Sequence, residues 1–121
     1  MTDKTINAYE DLQFGPLGEG SPVEAALLWG DPTTGPAAVL VRFPAGFSEP
    51  LHSHSSTYRA VLVKGEFKSR GSDGPEPETA YGPGSFVIQP GGEVHAEMNV
   101  GDEELIALVH FDGPVDFVPA E

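Results

Sequence analysis

The 121-residue chain contains no cysteine, which excludes a disulfide framework, a thiolate metal site and a cysteine nucleophile. It is also poor in basic residues, with 6 Lys and Arg against 19 Asp and Glu and a formal net charge of −13. That balance argues against binding nucleic acid or anionic lipid through a positive surface; the acidity reads as a solvated face that favours solubility. Long apolar runs are missing too. Runs such as Ala37 to Val41 and Leu105 to Val109, which none exceeds, are far too short to span a bilayer as helices. The opening stretch from Met1 to Asn7 lacks a charged-then-apolar signal pattern, so the expectation is a cytoplasmic protein without a membrane partner.

What the chain has in excess is punctuation: 15 glycines and 12 prolines, which imply frequent turns rather than long helices. Residues 1–24 read as an arm, and residues 25–121 as one domain, the size that a single core supports. Between turns such as Pro44-Ala-Gly46, Gly82-Pro-Gly84 and Pro90-Gly-Gly92 lie short apolar or alternating stretches. Strands are expected over Glu24–Trp29, Ala37–Phe43, Tyr58–Val63, Glu66–Ser69, Ser85–Ile88, Val94–Asn99 and Leu105–Phe111. The polar stretch Gly71 to Glu78 reads as an exposed loop. No sustained 3.6-residue apolar period is present, and the fold class that follows is all-β, an antiparallel barrel or double sheet.

Two histidines, His52 and His54, are separated by one serine. In an extended strand such residues point to the same side, so one cation could touch both. His95 follows the Pro90-Gly-Gly92 turn, and by the same period Glu97 shares its side. Three neutral nitrogens with an optional carboxylate suit one divalent transition metal ion, Fe(II), Mn(II), Ni(II), Cu(II) or Zn(II), better than Ca or Mg, and ligand type alone does not choose among them. Three or four protein ligands leave positions open for water, substrate or dioxygen. A His-x-His pair alone would be weak evidence for metal, since strand histidines are often surface residues.

The flanking residues strengthen the case. Gly46, five residues, His52-Ser53-His54 and a later Gly65 are followed by Gly84, five residues, Pro90-x-Gly92, two residues, His95, three residues and Asn99. This pair of segments, about half of the chain, resembles the two motifs of the cupin superfamily. The resemblance implies a jelly-roll-like antiparallel cupin barrel, with the glycines at turns of positive φ and the histidines as metal ligands. Most metal-binding cupins carry a glutamate four or five positions after the second histidine, where this chain has Tyr58 and Arg59. The shell then resembles either the bare three-histidine face of cysteine and acetylacetone dioxygenases or that of pirins, whose glutamate stands where Glu97 does. The segment Trp29-Gly-Asp-Pro32 adds a looser similarity to the cupin domain of zinc-dependent anti-sigma factors, although the sigma-binding helical domain of those proteins is not seen.

Tyr58 shares the parity of His52 and His54, so its phenol is a candidate to hydrogen-bond a metal-bound water or substrate. Glu97 and Tyr58 are thus the candidate catalytic groups. His110 reads as a barrel histidine rather than a ligand, and Glu49 and Gln89 as strand-edge polar residues. Candidates for an apolar cavity wall are Val39, Leu40, Val61, Leu62, Phe86, Ile88, Met98, Leu108 and Val109. The expected function is that of a metal-dependent cupin acting on a small organic molecule, first a non-haem iron dioxygenase-like oxidoreductase. The alternatives are a Zn- or Mn-dependent isomerase or hydrolase, or a non-catalytic sensor of small molecules or metal. The resemblance to cupins, which dimerise through edge strands, implies a homodimer; its physical support is that open sheet edges need cover.

Overall fold

A computed structural model describes residues 3–18, 20–72, 74 and 77–120. Ten strands form two antiparallel sheets: β1 (Gly15–Pro16), β2 (Glu24–Gly30), β3 (Ala37–Phe43), β4 (His52–Ser53), β5 (Tyr58–Lys64), β6 (Phe67–Gly71), β7 (Phe86–Gln89), β8 (His95–Asn99), β9 (Leu105–Phe111) and β10 (Val118–Pro119). The larger sheet runs β1-β2-β3-β9-β5-β7 and the smaller β10-β4-β8-β6. A single short 3-10 turn, Tyr9–Asp11, is the only helical element among the described residues. Among the described residues no helix is long and apolar enough to cross a membrane. Part of the loop expected over Gly71 to Glu78 lies outside the described residues.

The larger sheet carries the core on one face. Along β5, Tyr58, Ala60 and Leu62 are buried while Arg59, Val61 and Val63 are exposed, the period-two alternation of a sheet wet on one side. Val39, Val41 and Phe43 of β3 and Leu105, Val109 and Phe111 of β9 complete the inward layer. The cavity-wall candidates therefore divide. Val39, Leu62 and Val109 face inward, whereas Val61, Phe86 and Ile88 lie on the outer face, with Phe86 72% exposed. Sequence parity alone could not say which face was which.

Residues before β2 pack on the larger sheet. Gly15 pairs with Ala25 and Pro16 with Glu24, and the Arg42 guanidinium sits 3.6 Å above the Phe14 ring, a cation–π contact. The motif glycines Gly46, Gly65, Gly84 and Gly92 all take positive φ, between 72° and 95°. At Gly65 a side chain would also press on the chain, since an added Cβ would lie 3.0 Å from Leu105 Cα. Asn99, the last motif residue, is buried, and its amide donates to the carbonyls of Pro44 and Glu103 at 2.9 Å each. It ties two turns to the end of β8.

Candidate metal centre

Strands β4 and β8 lie side by side with His52 opposite His95, and His54 follows two residues on. All three rings are buried, and one nitrogen from each lies within 4.8 Å of the others. Each ring is anchored through Nδ1. His52 Nδ1 lies 2.7 Å from the Pro50 carbonyl, His54 Nδ1 2.6 Å from the Asp116 carbonyl and His95 Nδ1 2.9 Å from Glu97 Oε1. A carbonyl or carboxylate oxygen only accepts, so Nδ1 carries the proton and the Nε2 lone pairs are left free. His52 Nε2 and His95 Nε2 are buried without a hydrogen-bond partner, as is Glu97 Oε2. Unpartnered buried lone pairs are costly, and the two imidazole nitrogens, grouped with His54, are what a cation would satisfy. Two atoms each about 2.1 Å from one ion can be at most about 4.2 Å apart, so the cluster admits an ion after a small inward adjustment. The group fits a divalent transition metal.

Glu97 stands behind His95 rather than among the three convergent nitrogens. Its Oε1 accepts from His95 Nδ1 and from Ser69 Oγ at 3.1 Å, the arrangement in which a carboxylate fixes a ligand's tautomer and orientation. Tyr58 is buried edge-on to His54, with ring centroids 5.2 Å apart, and also packs on Phe111. Burial pushes its phenol well above the ordinary range, and the nearby Glu97 and Glu49 carboxylates add to the rise.

Two expectations are corrected, those for Glu49 and Gln89. His110, read as a barrel histidine rather than a ligand, lies on the outer face, 40% exposed and 4.0 Å from Asp112 Oδ1, away from the cluster. Glu49 is not a strand-edge residue. Its side chain is only 11% exposed, and its Oε1 faces His52 Nε2 at 3.7 Å while accepting the Glu97 backbone N–H at 3.1 Å. Burial raises its carboxyl to about 8 and lowers His52 to about 4, so near neutral pH this contact is not an ion pair. Gln89 is likewise buried rather than at an exposed edge, with its amide bonded to Glu93 at 3.2 Å. The sequence also concealed the role of the segment from Pro114 to Pro119. Phe117 stacks on His52 with centroids 4.2 Å apart, Asp116 accepts from His54 and Ser55, and β10 pairs with β4.

Beside the histidines lies a cavity of about 150 Å³, the size of a site that takes a molecule such as benzene. Its walls are apolar, from Val39, Leu62, Val87, Val109, Phe111 and Phe117, and its polar groups are Glu49, His54, Tyr58, Ser85, Glu97 and Asp116. No lysine or arginine lines it among the described residues.

A double antiparallel sheet with a histidine cluster between its layers is the cupin fold. An RmlC-like cupin protein from Ralstonia eutropha superposes with a TM-score of 0.72 at 22% identity, over 92% of this chain and 69% of that one. The structure of Rhodobacter sphaeroides SigE in complex with the anti-sigma ChrR matches with a TM-score of 0.66 at 22% identity, over 87% of this chain and 51% of that one. The likeness to the anti-sigma cupin domain is therefore one of fold. Within the cupins, the chain belongs to the family described as "Domain of unknown function (DUF4437)", which matches residues 5–121. It is also 31% identical over 105 residues to the dimethylsulfoniopropionate lyase DddQ of Ruegeria pomeroyi; the match covers 85% of this chain and 46% of that protein, so the chain spans about half of its relative.

Proposed function

We propose that the protein is a metal-dependent enzyme that cleaves a small organic molecule by elimination, with one divalent ion, Fe(II) before Zn(II), Mn(II) or Ni(II), held by His52, His54 and His95. The observation that carries this reading is the set of Nδ1-anchored rings beside a small apolar cavity. The choice of elimination rests on the 31% identity to a dimethylsulfoniopropionate lyase. When bound, such an ion polarises a carbonyl or carboxylate oxygen and acidifies the neighbouring C–H bond.

The chain's own groups have separate tasks. The apolar walls exclude water and fit a molecule of few heavy atoms. With no cationic side chain on the wall among the described residues, an anionic substrate group has the ion as its counter-charge. Tyr58, protonated at neutral pH, donates a hydrogen bond to a substrate oxygen or water, and Glu97 holds His95 in its ligating tautomer.

A second reading, a non-haem iron dioxygenase, is favoured by the absence of a glutamate at positions 58 and 59. Assays of the Fe(II)- and Zn(II)-loaded protein on small carboxylates, dimethylsulfoniopropionate included, separate the two. Elimination predicts an unsaturated product without dioxygen uptake; turnover that stops under nitrogen transfers the assignment to the oxygenase. Tight metal binding without turnover of any compound favours a sensor.

The same reading includes a cytoplasmic homodimer. Its support is that β7 is an edge strand of the larger sheet carrying exposed Phe86 and Ile88, a surface that invites pairing. Sedimentation equilibrium is expected at twice 12.8 kDa, and a monomer at micromolar concentration refutes it.

A further inference from the structure

We propose that Glu49, three residues before the first histidine, is the fourth protein ligand of the metal, supplying from upstream the carboxylate that this chain lacks at positions 58 and 59. The inference rests on the reading of the three histidines as a metal centre. Its first support is distance. Glu49 Oε1 and His52 Nε2 face each other at 3.7 Å, too far for a hydrogen bond and within the spacing of about 4.2 Å or less that two ligands of one ion share. The carboxylate is not among the atoms that already lie within 4.8 Å of one another, so ligation requires it to shift toward the other two rings.

The second support is how firmly the carboxylate is held. The Glu49 N–H donates to the Glu97 carbonyl at 3.0 Å, and the Glu97 N–H returns a bond to Glu49 Oε1 at 3.1 Å. Pro50 follows and restricts Glu49 to extended backbone. The side chain is thereby clamped against β8, facing the ring of His52.

The third support is charge. Three neutral imidazoles bring no negative charge to a divalent ion in an apolar setting, and no cationic side chain lines the cavity to pair with a buried carboxylate. Glu97 has a second, unpartnered oxygen, but its Oε1 is committed to His95 and Ser69 behind the ring, whereas among the described residues Glu49 Oε1 accepts only the Glu97 N–H. At the positions after the second histidine, Tyr58 has no negative charge to give and Arg59 is exposed and paired with Asp112 at 2.8 Å.

The test is Zn(II) affinity by competition with a chromophoric chelator on wild type, Glu49→Gln and His52→Ala, with the Co(II) absorption spectrum of each. Glu49→Gln keeps an oxygen to accept the Glu97 N–H and removes only the charged ligand, so a merely structural role leaves affinity unchanged. A loss of at least tenfold, with an altered Co(II) spectrum, is the expected result; a smaller loss overturns the proposal. If Glu49→Gln fails to fold, Glu49→Ala is judged by the same threshold. Wild type and His52→Ala that bind Zn(II) equally well would instead bring down the histidine site itself.

Discussion

His52 is held near 4, below the ordinary imidazole value, first because burial penalises the charged ring, although its bond to the Pro50 carbonyl works the other way. His54 is shifted in the same direction for the same first reason. The unfolded chain takes up these protons near pH 6.5, so the metal-free protein keeps this contribution above that value and loses it as pH falls toward 4. Glu49 acts in the opposite sense. Its carboxyl titrates near 8 when folded against 4.5 otherwise, so its contribution is present below 4.5 and is lost as pH rises toward 8. Between about pH 4.5 and 6.5 the two slopes oppose each other, and above 6.5 the Glu49 slope remains, at up to about 1.4 kcal/mol per unit. Thermal melts of the chelator-treated protein should therefore show stability falling from pH 6.5 to 8, and Glu49→Gln should flatten that limb. For Glu97→Gln the expected result is a metal affinity about 10–100-fold weaker, the range for an outer partner of a ligating histidine, with little change in melting temperature of the metal-free protein. Unchanged affinity in the same chelator competition would remove Glu97 from its supporting role.

At the scale of elements, the strands that were legible are those long enough to alternate. The limits of β3 and β9 coincide with the expected Ala37–Phe43 and Leu105–Phe111, because both are apolar runs closed by turns. Strands β1 and β10 have two residues each, too short for any periodicity to register. The histidine spacing was readable because period two is a local property. The proximity of Glu49 was not, since it depends on a bend at Leu51 and on a bridge from Ser48 to Met98 on β8. Nor was the contribution of the segment before β10, whose contacts with His52 and His54 join residues more than sixty positions apart. Phe117 can be tested directly. Phe117→Ala removes the ring stacked on His52, a contact of about 1 kcal/mol, and opens that side of the site. Faster release of Zn(II) to a chelator, with the fold intact by circular dichroism, is the expected outcome; unaltered release would make Phe117 a bystander.

For the molecule as a whole, nearly every contact that builds the site joins distant parts of the chain. His52 meets His95 across β4 and β8, and His54 meets Asp116. Pairings of this kind form slowly, because the loops between them must close before any contact offsets the entropy lost. The core sheet, in which β9 lies between β3 and β5, has the larger share of apolar burial to drive early collapse. The short strands β4 and β10 and the Phe117 stack have little with which to hold themselves in place until that sheet exists.

The Asp116 clasp on His54 has a consequence in time. If it closes after the rate-limiting step of folding, an ion that needs His54 correctly turned stabilises the native state and leaves the barrier top almost untouched. Stopped-flow chevrons with and without Zn(II) should then share one refolding limb, and the whole gain should fall in the unfolding limb. Metal would act as a latch on a finished barrel rather than as a template for making one, and a loaded protein would owe its persistence to the slowness of its opening.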